Sequence, residues 1–169
     1  MKSKITDEIL QVINRIPETY FNQIYFDLKK CSRIFVWGLG RSGLVARAFA
    51  MRLRHLGRES YFVGEICPAI SKNDVLIVIS KTGNKSMLLY PIESAKKSGA
   101  KIISITSGKN KLAKISDKLL VLPLCDSIQF GGSLFEQTTL IFLDEFVEFY
   151  RRKEKIPFEQ MQKNHVDWE

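Results

Sequence analysis

The chain has 169 residues, of which 45% are hydrophobic and 26% charged, a composition typical of a soluble globular protein and enough for one packed domain. Its formal net charge is +8, but the basic residues are scattered and accompany no nucleic-acid-binding motif, so we expect no nucleic-acid partner. No apolar run approaches the roughly 18 residues of a membrane span, and the N-terminal segment lacks a signal-like apolar core, so we expect a cytoplasmic protein with no membrane partner.

The chain begins with helical patterns and then alternates between strands and helices. Apolar residues at helical spacing predict helices over residues 5–15 and 18–30, and Pro17 separates them. The elements predicted after them are, in chain order, strand 34–37, helix 42–56, strands 60–63 and 74–80, helix 85–98, strand 101–106, short helix 112–115, strand 118–122 and a long helix from about 134 to 152. This order predicts an α/β fold, a three-layer αβα sandwich with a five-stranded parallel sheet.

We interpret the whole chain, residues 1–169, as a single domain, with N-terminal helices in 1–30 and a C-terminal tail in 156–169. In open parallel sheets ligands bind beyond the carboxyl ends of the strands, so we expect the functional residues in the segments that follow the strands. We expect reduced thiols, and neither a disulfide framework nor a metal site, because the cysteines are odd in number and far apart: Cys31, Cys67 and Cys125.

A glycine-rich turn follows the first predicted strand and opens the next helix. Backbone N–H groups and the positive end of a helix dipole suit a phosphate, so Gly40, Arg41 and Ser42 are candidate phosphate-binding residues. The run Gly38–Gly43 also fits the dinucleotide fingerprint G-x-G-x-x-G. Glu65 follows Gly43 by 22 residues, where a dinucleotide enzyme keeps its ribose-binding acid, so a small NAD(P)-binding protein is an alternative.

A second phosphate loop follows the third predicted strand, again at a helix N-terminus. It concentrates hydroxyls, a glycine and two lysines, a combination that suits a single phosphate. Helix capping alone would explain Ser80 or Asn84, but not the whole set. The candidate phosphate-binding residues of this loop are Ser80, Thr82, Gly83, Asn84, Lys85 and Ser86.

Two hydroxyl-rich loops at neighbouring strand ends resemble the pattern of the SIS (sugar isomerase) domain family. Within that family, segments along nearly the whole chain are most similar to the 6-phospho-3-hexuloisomerases. The segments that carry the resemblance are 40–46 (GRSGLVA), 63–65 (VGE), 80–84 (SKTGN), 132–136 (GSLFE) and 161–169 (MQKNHVDWE). Two positions depart from the family pattern, because Lys81 stands where glycine is usual and Lys85 where threonine is usual.

The resemblance implies interconversion of D-arabino-hex-3-ulose 6-phosphate and fructose 6-phosphate, with no metal or redox cofactor. A cis-enediolate route needs a base for the carbon-bound proton and a group that moves protons between the oxygens. Glu136 is the candidate base, although Ser133 and Glu136 also fit a capping box. His165 is the candidate for moving protons between the oxygens or for opening the fructose 6-phosphate ring, since imidazole titrates near neutral pH. We interpret His55 as structural.

Three other interpretations stay open. The protein is another aldose–ketose phosphate isomerase, a non-catalytic SIS module that binds a sugar phosphate, or the NAD(P)-binding protein described above. The presence of both Glu136 and His165 favours an enzyme over a sensor. The resemblance also implies self-association as a homodimer or homotetramer, with His165 acting in its own or a neighbouring subunit. The aromatic residues of the second helix, among them Phe21 and Tyr25, suit either a subunit contact or the intrachain core.

Overall fold

The structure is a computed structural model, and it describes residues 4–165 of the chain. The strands are β1 (Ile34–Gly38), β2 (Ser60–Phe62), β3 (Val75–Ile79), β4 (Lys101–Thr106) and β5 (Lys118–Val121). The helices are α1 (Lys4–Ile13), α2 (Thr19–Lys30), α3 (Arg41–His55), α4 (Ser86–Lys97), α5 (Ser133–Lys153) and α6 (Phe158–Lys163), with a 3-10 turn at Lys111–Lys114. No helix within residues 4–165 has the length and apolarity needed to cross a membrane.

The strands form one parallel sheet in the order β2-β1-β3-β4-β5. Side chains of β3 alternate between two apolar clusters, so this strand is buried on both faces. One cluster packs α2, α3, α5 and α6 on one face, and the other packs α4 and the 3-10 turn on the opposite face. The predicted three-layer α/β fold with five parallel strands is therefore confirmed.

The strand bounds agree with the predicted ones to within one residue at either end. The sequence prediction missed α6, which lies in the segment interpreted as a tail. Pro157 precedes this helix as its N-cap and Met161 is buried against the main core. A six-residue helix spans less than two turns, too short for its apolar spacing to be recognised.

The topology brings two loops together at one edge of the sheet. We call the edge at the strands' carboxyl ends the carboxyl edge, and the edge at their amino ends the amino edge. The strand order reverses between β1 and β3, whose last residues Gly38 and Ile79 pair in register, and such a switch point is where open sheets bind ligands. Helix α3 starts at the carboxyl edge with Arg41 and runs back to His55 at the amino edge, about 21 Å away at about 1.5 Å per residue.

Candidate active site

The turn between β1 and α3 is so tight that glycine is required at two positions. A Cβ atom on Gly38 would lie 2.9 Å from the Ser42 carbonyl oxygen and 3.0 Å from that of Ile79. A Cβ on Gly43 would lie 2.8 Å from the Gly38 carbonyl oxygen. Gly40, at φ 57°, has open space where its Cβ would stand. The turn thus holds the N-terminus of α3 against the sheet and leaves the backbone at Gly40 accessible.

The residues predicted to bind phosphate in this turn differ in exposure. Arg41 is the first residue of α3 and its side chain is 56% exposed. Ser42 is buried behind it. Of the two side chains, Arg41 is therefore the one accessible to a ligand at the carboxyl edge.

The loop between β3 and α4 is folded by its own hydrogen bonds. The Gly83 N–H donates to Ser80 Oγ at 3.1 Å, so Ser80 shapes the turn rather than capping α4. Gly83 has φ 62°, and a Cβ there would lie 2.4 Å from Asn110 Oδ1. Glycine is required at this position because the loop after β4 presses against it. The Asn110 side chain in turn donates to Thr106 Oγ1 at 2.6 Å.

The remaining predicted phosphate ligands are exposed around the start of α4. These are Thr82, Asn84, Lys85 and Ser86. Within residues 4–165, no side chain accepts a hydrogen bond from the first turn of α4, and its N-cap residue is Lys85. The capping alternative therefore does not describe this loop. The uncapped N–H groups, with hydroxyls and an ammonium beside them, form a suitable cradle for an anion.

Glu136 lies at the same edge of the sheet and contacts Arg41. Its Oε2 is 2.8 Å from Arg41 Nε, and its side chain is 14% exposed. The contact is ionic, since this buried oxygen has no aligned hydrogen-bond donor within the described chain. Arg41 Nη1 also donates to Ser133 Oγ at 2.7 Å. Arg41 thereby joins the β1–α3 turn to the start of α5.

The predicted capping box at the start of α5 is not formed. Gly132 occupies the N-cap position and Ser133 is the first helical residue. The Ser133 hydroxyl donates to the Phe130 carbonyl oxygen at 2.9 Å instead. Because Glu136 contacts Arg41 rather than the backbone of Ser133, its carboxylate is held at the mouth of the site.

Lys81 connects the phosphate loop to the turn before α5. Its Nζ donates to the Gly131 carbonyl oxygen at 2.8 Å. Its own carbonyl oxygen accepts from Thr106 Oγ1 at 2.9 Å and from Ser107 Oγ at 2.8 Å. In the described part of the chain no carboxylate pairs with Lys81 or Lys85. The site therefore carries positive charge beyond the Arg41–Glu136 pair.

The sequence analysis did not identify these supporting residues as a group. Lys81 stood out as a departure from the family pattern, but its contact with Gly131 joins positions 50 residues apart. Thr106 is the last residue of β4 and Ser107 follows it at the carboxyl edge. Their position after a strand was the available signal, and their role is to support the Lys81 backbone.

His165 lies at the amino edge and not beside Glu136. Its ring stacks on that of His55, with ring centroids 4.9 Å apart. The neighbouring Asn164 donates from Nδ2 to the His55 carbonyl oxygen at 3.0 Å. The length of α3 therefore separates His165 from Arg41 and Glu136 within one chain.

Glu65, the acid on which the dinucleotide alternative depends, is paired with an arginine of α3. Its Oε1 accepts from Arg47 Nε at 2.7 Å, and the Arg47 guanidinium lies 3.8 Å from the centroid of the Phe62 ring. A ribose-binding carboxylate must accept hydrogen bonds from sugar hydroxyls. Arg47 would have to move before Glu65 was fully available for that purpose.

Comparison with known proteins places this chain and its fold in a family. The model of the SIS domain matches residues 27–128. A 3-hexulose-6-phosphate isomerase of Methanocaldococcus jannaschii is 37% identical over 82% of this chain and 78% of its own. The enzyme of that name from Methylomonas aminofaciens is 33% identical over 98% of this chain and 96% of its own.

A solved structure agrees with these relatives over almost the full length. A Methanococcus jannaschii protein, whose structure infers a molecular function of 3-hexulose-6-phosphate isomerase, is 31% identical with a TM-score of 0.90. The match covers 98% of this chain and 97% of that chain. The predicted resemblance is thus confirmed by both sequence and fold, and the chain belongs to the SIS domain family.

Proposed function

We propose that this protein is a phosphosugar isomerase that interconverts D-arabino-hex-3-ulose 6-phosphate and fructose 6-phosphate. One observation carries the proposal. At the carboxyl edge of the sheet, a phosphate loop that contains two lysines and precedes an uncapped helix lies near the carboxylate of Glu136, which is mostly shielded from solvent. The names of the relatives at 33% and 37% identity support the choice of substrate.

The phosphate group is assigned to the loop of residues 80–86. Backbone N–H groups at the start of α4 donate to it, and the hydroxyls of Thr82 and Ser86 add further donors. Lys85 supplies charge where the family pattern has a threonine hydroxyl. With the phosphate held there, the sugar chain extends across the mouth of the site toward Arg41 and Glu136.

The isomerisation moves a carbonyl group from C2 to C3 of the sugar. Glu136 removes the C3 proton of fructose 6-phosphate, and the electrons form an enediolate over C2 and C3. Return of the proton to C2, with transfer of a proton from O3 to O2, yields the 3-ketose and regenerates the carboxylate. A carboxylate held at the mouth of the site, within reach of the bound sugar, suits this step because proton transfer requires the base in contact with the carbon-bound proton.

His165 is assigned the proton transfer between the oxygens, in a site of a neighbouring subunit. Within one chain His165 and Glu136 lie at opposite ends of α3. A homodimer or homotetramer would bring the amino edge of one subunit to the carboxyl edge of another. Exposed apolar side chains on α3 and α5 support self-association through these helices: Leu44, Met51, Leu140 and Ile141. Among the aromatics of α2, Tyr25 is buried and Phe21 stacks on Phe142 of the intrachain core with centroids 5.3 Å apart, whereas Phe26 is exposed.

The first experiment is proton NMR of the protein with fructose 6-phosphate in D₂O. We expect deuterium at C3 of fructose 6-phosphate and a growing signal of the 3-ketose with deuterium at C2. If deuterium enters C1 and an aldose forms instead, the proposed reaction is wrong and the protein is an aldose–ketose isomerase. Binding without exchange at any carbon would favour a sugar-phosphate sensor.

The placement of His165 is tested by mixing two inactive variants. Glu136→Gln and His165→Ala are each expected to lose turnover, and each leaves the other group intact. If subunits share sites, mixed oligomers prepared by co-refolding contain some sites with both groups and regain part of the wild-type activity. Mixtures that remain inactive would place both groups in the same chain's site or remove His165 from the mechanism.

A further inference from the structure

Lys81 is fixed at its backbone and extended at its side chain. The carbonyl oxygen of Lys81 accepts three hydrogen bonds from the end of β4 and the residue after it, namely from Thr106 Oγ1 at 2.9 Å, Ser107 Oγ at 2.8 Å and the Ser107 N–H at 3.2 Å. These bonds attach the second residue of the phosphate loop to the buried end of β4. The side chain then reaches across the mouth of the site to the Gly131 carbonyl oxygen at 2.8 Å.

The far end of this bridge is the turn that leads into α5. Gly131 has φ 68° and is followed by Gly132, so the turn has little side-chain packing of its own. A Cβ on Gly132 would lie 2.9 Å from Glu136 Oε1, because the carboxylate folds back over this turn. Movement of the Gly131–Gly132 backbone therefore moves the Glu136 carboxylate with respect to the phosphate loop.

We propose that Lys81 is a positioning residue that sets the span between the phosphate loop and the Glu136 carboxylate, and that this span selects which carbon of the sugar is deprotonated. The inference rests on the proposed function, since it takes Glu136 as the base and the 80–86 loop as the phosphate site. When the phosphate is bound at one end and the base lies at a fixed distance from it, that distance determines which carbon of the substrate the base can reach. The Lys81 bridge keeps that length fixed.

The inference also explains how this chain uses a departure from the family pattern. Glycine at position 81 would remove this contact between the phosphate loop and the turn before α5. Arg41 would still connect the start of α5 to a different segment, the β1–α3 turn, through Ser133 and Glu136. The Lys81 ammonium adds a second connection from the opposite side of the mouth. Arg41 then contacts the carboxylate directly, and Lys81 contacts the Gly131 carbonyl oxygen of the turn over which the carboxylate folds.

The bridge itself is tested without substrate, by amide hydrogen exchange of Lys81→Met. Methionine retains most of the stem and cannot donate to Gly131. We expect the amides of residues 130–133 to exchange at least roughly tenfold faster at neutral pH, as for a segment released to local opening. Lys97→Met, which removes an exposed ammonium from the far end of α4, is the matched control and should leave these amides unchanged. Equal exchange in Lys81→Met and the wild type would overturn the bridge.

The selection of carbon is tested by deuterium incorporation into fructose 6-phosphate. In Lys81→Met we expect kcat to fall roughly tenfold or more with KM changed by less than about threefold, because the base is displaced while the phosphate is still bound. The ratio of deuterium at C3 to deuterium at C1 should fall as well, and Lys81→Arg should restore most of it. A merely structural role would lower activity without changing that ratio.

The outcomes separate this inference from the proposed function. Suppose that the wild type exchanges at C3 and that Lys81→Met has the same kcat and the same C3-to-C1 ratio. This result would overturn the role of Lys81 and leave the isomerase proposal intact. Absence of exchange at C3 in the wild type would overturn the proposed reaction and, with it, the selection of carbon by Lys81.

Discussion

The two edges of the sheet satisfy their charged groups in opposite ways. At the amino edge, Asp74 is buried and both of its carboxylate oxygens accept hydrogen bonds from Arg33, at 3.1 Å and 2.7 Å. The Ser71 N–H and hydroxyl donate to the same carboxylate at 2.7 Å and 2.9 Å. Lys101 and Lys118 are the first residues of β4 and β5. Their Nζ atoms each lie 2.6 Å from a carboxylate oxygen of Asp27, Oδ1 and Oδ2 respectively.

At the carboxyl edge the groups remain partly unsatisfied. Lys81 and Lys85, which belong to the phosphate loop, pair with no carboxylate of the described chain. Buried polar groups are normally hydrogen-bonded inside a folded protein, as they are around Asp74. The difference is that the amino edge pairs its buried charges within the fold, whereas the carboxyl edge leaves lysines accessible, which supports the proposal that it binds an anionic ligand.

The largest effect is expected from Glu136→Gln. The substitution keeps the shape of the side chain and removes the base, so kcat should fall about a thousandfold while fructose 6-phosphate still binds. Steady-state kinetics and calorimetric titration measure the two quantities. Glu145→Gln, at an exposed position on α5, is the control and should retain full activity. A loss of less than about tenfold would remove Glu136 from the role of base.

Asp74→Asn should destabilise the fold without changing the chemistry. Replacing the buried carboxylate leaves Arg33 without its partner, and we expect the free energy of unfolding to fall by about 3 kcal/mol. The exposed pair of Arg52 and Asp144 provides the control, since Asp144→Asn should cost no more than about 1 kcal/mol. Urea denaturation compares the two variants, and kcat per folded molecule should stay that of the wild type in both.

The same carboxylate gives a pH dependence of known sign. Burial acts to raise the pKa of Asp74, but the hydrogen bonds from Arg33 and Ser71 outweigh it and hold the pKa below its ordinary value of 3.8. A lowered folded-state pKa contributes stability above the unfolded value, and that stability is lost as the pH falls through the folded value. As the pH falls below 3.8, the free energy of unfolding of the wild type should therefore decrease. Asp74→Asn has no carboxylate at this position and should not show that decrease. Parallel acid-unfolding curves for the two proteins would contradict this assignment.

Thr82→Val with Ser86→Ala tests the carboxyl edge as a phosphate site. Loss of two hydroxyl donors should raise KM about tenfold and weaken inhibition by inorganic phosphate to a similar degree, with kcat within about threefold of the wild type. Ser94→Ala, at an exposed position further along α4, is the matched control. If KM and phosphate inhibition are unchanged, the phosphate binds elsewhere.

The smallest effect is expected at Glu8, which braces the segment between β5 and α5. Its carboxylate accepts from the Ile128 N–H at 2.9 Å and the Ser127 hydroxyl at 2.6 Å, and these bonds lower the pKa of Glu8 below 4.5. Glu8→Gln should speed amide exchange of residues 127–129 by about threefold. In the wild type the same loosening should occur only as the pH falls below 4.5, since the bracing carboxylate is present above that value.

Much of this fold follows from local patterns in the sequence. The apolar run of β3 and the glycines after β1 and α3 define the alternation of strands and helices, and the parallel sheet follows from it. That topology also determines the strand order at the switch point, and it places Ser80, Thr82 and Gly83 at the carboxyl edge. Helix α6 was missed because it is shorter than the window in which helical spacing is recognisable.

The contacts of the site were less predictable than its location. Arg41 with Glu136 and Lys81 with Gly131 join segments far apart in the chain, and such pairs depend on how α5 packs against α3. The position of His165 beside His55 follows from α6, which the sequence analysis did not identify. Residue types therefore indicated the chemistry, while their mutual distances required the packed structure.

The crowded turn after β1 determines how such a scaffold can diversify during evolution. Any side chain at Gly38 or Gly43 collides with main-chain oxygens, so mutation there disrupts the architecture instead of altering ligand preference. Positions 81 and 85, in contrast, place their side chains over the mouth, where size and charge can change with the backbone intact. We therefore expect new substrate preferences on this framework to be accessible through substitutions in the phosphate loop, whereas substitutions in the glycine turn would disrupt the fold.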